Sequence, residues 1–186
     1  MTLAASGIDW YAARAGGIVA YVLLSSVVIL GLALAGKERL QKWPRFALED
    51  VHRFGGMLVG CFVSLHVVTL VIDSQAHVSL VQALVPFTAG YRPVWTGLGT
   101  VAVELLLALA LTNRYRKRIS YRLWRRLHYL NFAVWLAATW HGVGAGTDSG
   151  AAWMLGIYIS AIAAVSALML RRVLRMPAPA RAADIA

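Results

Sequence analysis

The segments HRFGGMLVGCFVSLH (52–66) and HYLNFAVWLAATWH (128–141) decide how this chain is read, because each sets an apolar, nearly uncharged run between two histidines. The apolar character continues over 52–72 and 127–144, and the stretches 16–36, 94–112 and 151–170 are of the same kind. A helix needs about 20 such residues to cross roughly 30 Å of hydrocarbon. The 186 residues are 60% apolar and 14% charged, with a mean hydropathy of +0.66. A water-soluble domain of this length could not bury that much apolar surface in one core. The expected fold is all-α, an integral membrane helical bundle of about five transmembrane helices. Residues 1–175 form its one domain, and 176–186, rich in Pro and Ala, form a disordered cytoplasmic tail.

The net charge of +10 raises the question of nucleic acid, and the placement of the charges answers it. Lys37, Arg39, Lys42 and Arg45 lie in the first connection, with Arg53 just beyond. Arg114, Arg116, Lys117, Arg118, Arg122, Arg125 and Arg126 lie in the third, and Arg171, Arg172, Arg175 and Arg181 at the C-terminal end. In a five-span topology those sixteen of the 18 basic residues share one side, and only Arg14 and Arg92 fall on the other. By the positive-inside rule the N-terminus is outside and the basic loops and C-terminus are cytoplasmic. The basic excess is therefore an orientation signal, helped by anionic lipid headgroups, and no nucleic-acid partner is expected. A multi-pass location in a cell membrane, the bacterial cytoplasmic membrane, follows.

The connections are short. Trp43-Pro44 makes an interfacial break, and Glu49 and Asp50 suit the positive end of the second helix. HVSLVQALVPF (77–87) is too short to span and reads as an interfacial helix or re-entrant turn, and GVGAGTDSG (142–150) as a tight outer hairpin. Cys61, the one cysteine, reads as a small buried apolar residue. No basic region precedes the first apolar stretch, so no cleaved signal peptide is expected.

His52 and His66 are 14 residues apart on the second span, His128 and His141 13 apart on the fourth. Either spacing corresponds to roughly 20 Å of helix. Both spans run from inside to outside, so His52 and His128 share the cytoplasmic depth and His66 and His141 the outer one. Neutral imidazole is a suitable axial ligand for haem iron, and two of them fill both axial positions, which favours electron transfer. The expected cofactors are two b-type haems (heme b). Gly55, Gly56 and Gly60 leave room for a flat macrocycle, or else serve small-residue helix packing. His77 has no partner at its depth. A straight fourth helix would aim His128 and His141 about 140° apart, so tilt, crossing or an overwound turn must compensate. Glu104, the only acid deep in a span, reads as a proton carrier, as a polar contact to a haem or quinone, or as a carboxylic acid bonded across helices.

These residues resemble the ferric-reductase-like transmembrane domain family, which includes NADPH oxidases, ferric reductases and the haem subunit of periplasmic methionine-sulfoxide reductase. The resemblance runs from about residue 10 to 170. It rests on His52-Arg53-Phe54-Gly55 with Leu65-His66, and on Trp124-Arg125-Arg126-Leu127-His128-Tyr129 with His141-Gly142. It implies an inner haem on His52 and His128 and an outer haem on His66 and His141. Ala13-Arg14-Ala15 resembles an Ala-Arg-Ala segment of the oxidases, which implies that Arg14 lies near the outer haem as a propionate partner. Where the oxidases carry a further histidine, this chain has Leu70, which argues against dedicated superoxide production. A flavin and nicotinamide domain is not expected after residue 170.

The function expected is transmembrane electron transfer by an oxidoreductase component. Its donor would be a separate cytoplasmic flavoprotein or a quinol, with FMN or a quinone entering through that partner. Its acceptor would lie at the outer face, and the Arg-rich third connection offers an acidic donor a docking surface. Two alternatives belong to other classes: a quinone-linked cytochrome b subunit, and a membrane anchor whose histidines only pack.

Overall fold

The computed structural model of the protein describes residues 3–36, 43–73, 76 and 78–174, so His77 and the 176–186 tail lie outside the described residues. The elements are α1 (Leu3–Ala35), α2 (Arg45–Ile72), α3 (Leu80–Leu84), α4 (Pro93–Arg114), a 3-10 turn (Arg116–Arg118), α5 (Tyr121–His128), α6 (Asn131–Ala145) and α7 (Ala152–Leu174). Among the described residues there is no strand. Four helices are long and apolar enough to cross a membrane: Gly7–Ala35, Arg45–Ile72, Pro93–Arg114 and Ala152–Leu174.

The fifth expected span, 127–144, is not one continuous helix. It is divided between the end of α5 and α6, whose 15 residues rise only about 22 Å. The cause is local. Asn131 Nδ2 donates to His128 O at 2.6 Å, capping a carbonyl that a continuous helix would pair with Phe132 N. Backbone bonds tighten to the 3-10 pattern across the junction: Tyr129 N to Arg126 O, Leu130 N to Leu127 O and Phe132 N to Tyr129 O, at 3.2, 2.9 and 3.1 Å. α5 is amphipathic, and Ser120 Oγ caps its start by accepting from Leu123 N at 3.3 Å.

α1 packs along α2 and also touches α6 and α7, while α4 packs on α6. The shared core follows helical spacing: Tyr21, Leu24, Val28 and Leu32 on α1 meet Met154, Tyr158, Ala161 and Val165 on α7, with Val134, Trp135 and Ala137 of α6 between. Two buried polar contacts tie α1 to α6. Trp135 Nε1 donates to Ser25 Oγ at 3.0 Å. The Thr139 hydroxyl donates to Trp135 O at 2.8 Å and accepts from the Tyr21 hydroxyl at 3.2 Å. Such bonds between membrane helices contribute about 0.6 kcal/mol each.

The outer surface is apolar, as contact with lipid demands: Met57, Leu107, Ile159 and Val173 are 61–65% exposed. Cys61 is exposed on this surface rather than buried, because α1 covers a different face of α2. The 77–87 segment contains the short helix α3, opened by a Ser79–Gln82 capping box. Beyond it Phe87, at φ 65°, fills the space beside Gly97.

At the α4–α6 contact a Cβ on Gly144 would lie 2.1 Å from Trp95 Cδ2, whereas one on Gly150 would meet open space. Gly144→Ala is expected to destabilise the fold by about 1–3 kcal/mol. The thermal midpoint in detergent should fall for Gly144→Ala and stay put for Gly150→Ala.

Candidate functional site

The four expected histidines come together in two tiers. His52 and His128 have ring centroids 6.3 Å apart with planes crossed at 63°. His66 and His141 are 6.2 Å apart and crossed at 72°. On α2 the 14-residue spacing returns both rings to within about 40° of one face. The phase deficit of the other pair is met at the α5–α6 junction. Residues in a 3-10 turn advance about 120° instead of about 100°, and the break frees His128 from the axis of α6.

Three of the rings are held by one repeated device. His66 Nδ1 donates to Ala13 O at 2.6 Å, His52 Nδ1 to Val27 O at 3.1 Å, and His141 Nδ1 to Trp95 O at 2.9 Å. A carbonyl oxygen only accepts, so each Nδ1 carries the proton and each Nε2 keeps its lone pair. Four residues after each carbonyl stands a glycine against the same ring: Gly17, Gly31 and Gly99. A Cβ there would approach His66 Nδ1 at 2.9 Å, His52 Cε1 at 3.0 Å and His141 Nδ1 at 2.5 Å. Sequence reasoning missed these glycines, although Ala13/Val27 and Gly17/Gly31 both repeat at 14 residues, the interval between His52 and His66.

Among the described residues no three His, Cys, Asp or Glu side chains gather as a metal site. A pair of imidazoles can hold a metal only when the metal brings its other ligands with it, as a macrocycle does. The spacing suits that demand. Two metal–nitrogen bonds of about 2 Å, with about 1 Å from each nitrogen to its ring centre, span roughly 6 Å. The α2 glycines divide by role. Gly55 packs on α1, where a Cβ would meet Val27 Cγ2 at 2.7 Å, while Gly56 and Gly60 face open space on the other side of the histidine face. The residues present therefore fit a flat macrocycle.

Beside His52 and His128 a cavity of about 400 Å³ is lined by Arg45, Arg125 and Arg172 together with Tyr121, Tyr129 and Asn131. The Tyr129 hydroxyl accepts from Arg125 at 3.4 Å and from Arg172 at 3.3 Å. These groups favour anions, and only their position in basic segments was visible in the sequence. At the other end Arg14 meets a carboxylate of the chain itself. Its Nε and Nη2 both donate to Asp148 in the α6–α7 hairpin, and the guanidinium lies 5.0 Å over the Trp10 ring. Glu104 is nine residues beyond Trp95, hence on the opposite face of α4 from the carbonyl that holds His141. It is exposed there and directed away from the His66–His141 pair.

The Arg14–Asp148 pair joins α1 to the hairpin with side chains 34% and 14% exposed. Arg14→Gln and Asp148→Asn should each lower the thermal midpoint, and the double variant should fall no further than the worse single one. A coupling of about 1 kcal/mol is expected for a bidentate, partly screened pair.

Residues 16–139, 124 of the 186, match the family described as ferric reductase like transmembrane component. The match includes His52, His66 and His128 and stops two residues short of His141. No curated protein and no solved structure matches the chain. With two thirds of its length matched, on the helices that carry both tiers, this multi-pass membrane chain belongs to the ferric reductase like transmembrane component family.

Proposed function

We propose that the chain is a di-haem b-type cytochrome that transfers electrons across the membrane. The donor is on the cytoplasmic side, a separate flavoprotein or a quinol, and the acceptor is at the outer face. The observation that carries this reading is the pairing of imidazoles at 6.3 and 6.2 Å, with Nδ1 directed to main-chain carbonyls at three of the four rings. Haem held at each pair would supply one-electron transfer chemistry.

The chain's own residues do the rest. His52 and His128 would ligate the inner haem and His66 and His141 the outer, with Nε2 left free to do so in His52, His66 and His141. The carbonyls of Val27, Ala13 and Trp95 fix the tautomer and raise the basicity of their histidines. Gly56 and Gly60 keep the space beside α2 clear. Arg45, Arg125 and Arg172 offer the inner propionates their charge partners. Arg14, with Nε and Nη2 on Asp148, keeps Nη1 for an outer one. The basic connections put the His52 end on the cytoplasmic side. With the inside negative, moving an electron outward is then favoured by about 2.3 kcal/mol per 100 mV.

Pyridine-haemochrome assay of the purified chain should give about two haems per polypeptide, falling to about one in His66→Ala and in His128→Ala. A protein with no Soret band would instead be a membrane anchor, and a ratio near one that survives His66→Ala would remove the outer site. Reduction in membranes by a quinol analogue without added flavoprotein would assign the donor as a quinol.

Gly60→Leu tests the space beside α2 separately. It should lower the haem ratio with helix content unchanged in circular dichroism, since a Cβ there meets nothing within 4 Å. An unchanged ratio would remove Gly60 from the space that a haem needs.

A further inference from the structure

His128 is the exception to the device that holds the other three rings. Among the described residues no carbonyl accepts from its Nδ1. The nearest polar group is Asn131 Nδ2 at 3.3 Å, and that amide makes its short bond, 2.6 Å, to His128 O. The ring lies instead against Trp124, with centroids 5.1 Å apart and planes within 24°, a stacked pair. Trp124 precedes His128 by four residues, so the two share one face of α5. The indole is itself anchored, because Nε1 donates to Asn113 Oδ1 at 2.9 Å in the last turn of α4. Tyr121 covers its other side at 5.9 Å.

We propose that Trp124 is the positioning residue of the inner tier: its face, pinned through Asn113, orients His128 as a carbonyl and a glycine orient the other histidines. The proposal rests on the two-haem reading. A ring held by stacking is fixed in plane without an acceptor for Nδ1, whose one neighbour among the described residues is the donor Asn131 Nδ2, so His128 lacks the rise in basicity that a carbonyl confers. The inner pair thus combines one carbonyl-bonded ligand, His52, with one stacked ligand, while both outer ligands are carbonyl-bonded. Removing the stack acts on one iron through one ligand.

The test is a spectroscopic redox titration of purified, haem-loaded Trp124→Leu, Trp124→Phe and Asn113→Leu beside the parent chain. In Trp124→Leu one of the two transitions should move while the other holds, and carbon monoxide should gain access to about one haem per chain as His128 swings free. Phe in place of Trp should move that transition by less than Leu does, because it keeps the stack but has no N–H to donate to Asn113. Asn113→Leu should move the same transition by less, since it loosens the indole without removing it. If Trp124→Leu loses haem altogether, Asn113→Leu decides. Parent-like transitions in Trp124→Leu, a joint shift of both, or a silent Asn113→Leu each overturn the proposal. Absence of haem from the parent chain would be a failure of the two-haem reading instead.

Discussion

The hydrogen bond from an imidazole Nδ1–H to a main-chain carbonyl of the neighbouring helix is the constraint on which the rest of this bundle depends. Inside a membrane helix every carbonyl is already bonded to the N–H four residues on, and only its second lone pair is left. The side chain of that fourth residue stands beside the lone pair. Glycine there removes the obstacle, which is why Ala13, Val27 and Trp95 are followed at that distance by Gly17, Gly31 and Gly99. The backbone is thus used twice, once for its own helix and once for the ring across the gap.

That requirement fixes more than ring orientation. α1 and α2 run antiparallel, and two carbonyl–glycine units spaced 14 residues apart meet two histidines spaced 14 apart. A slide of one residue would break both contacts together, so the register of the pair that packs most extensively is set by these six residues. α4 does the same for α6 through a single unit, and Trp95 packs on Gly144 one turn away on the partner helix. The histidine pairs link α2 to the end of α5 and to α6, neither of which is among its main packing partners. The bundle is held by α1 and α4 from behind.

Much of this was legible in the sequence, and what was not has a physical cause. Long apolar stretches and histidines at 14 and 13 residues announce spans and tiers, since depth in a membrane is nearly linear in residue number. The break after His128 was hidden because hydropathy is continuous across it. Its cause, one Asn131 amide bonded back to a carbonyl, is a local competition that composition does not register. Gly55, Gly56 and Gly60 read alike until their neighbours are known, and only Gly55 packs. Asp148 lies 134 residues from Arg14, and no local pattern connects them. The seat glycines were discoverable: their interval repeats that of the histidines.

The two ends of the bundle differ in how they treat charge. At the hairpin end Arg14 is matched by Asp148, and Arg92 donates to Gly144 O at 2.5 Å, so both cations there help to join helices. At the other end Arg45, Arg125 and Arg172 line a cavity beside His52 and His128. Of these, Arg45 also pairs with Glu49 at 2.9 Å along its own helix. In the proposed orientation these same arginines belong to the excess that holds the basic loops in the cytoplasm. Orientation charge and site charge are then one set of residues, and the end that topology keeps inside is the end that can receive an anionic group. The basic residues that make the charge of the sequence lopsided thus include the three that give the His52–His128 end its open, cationic character.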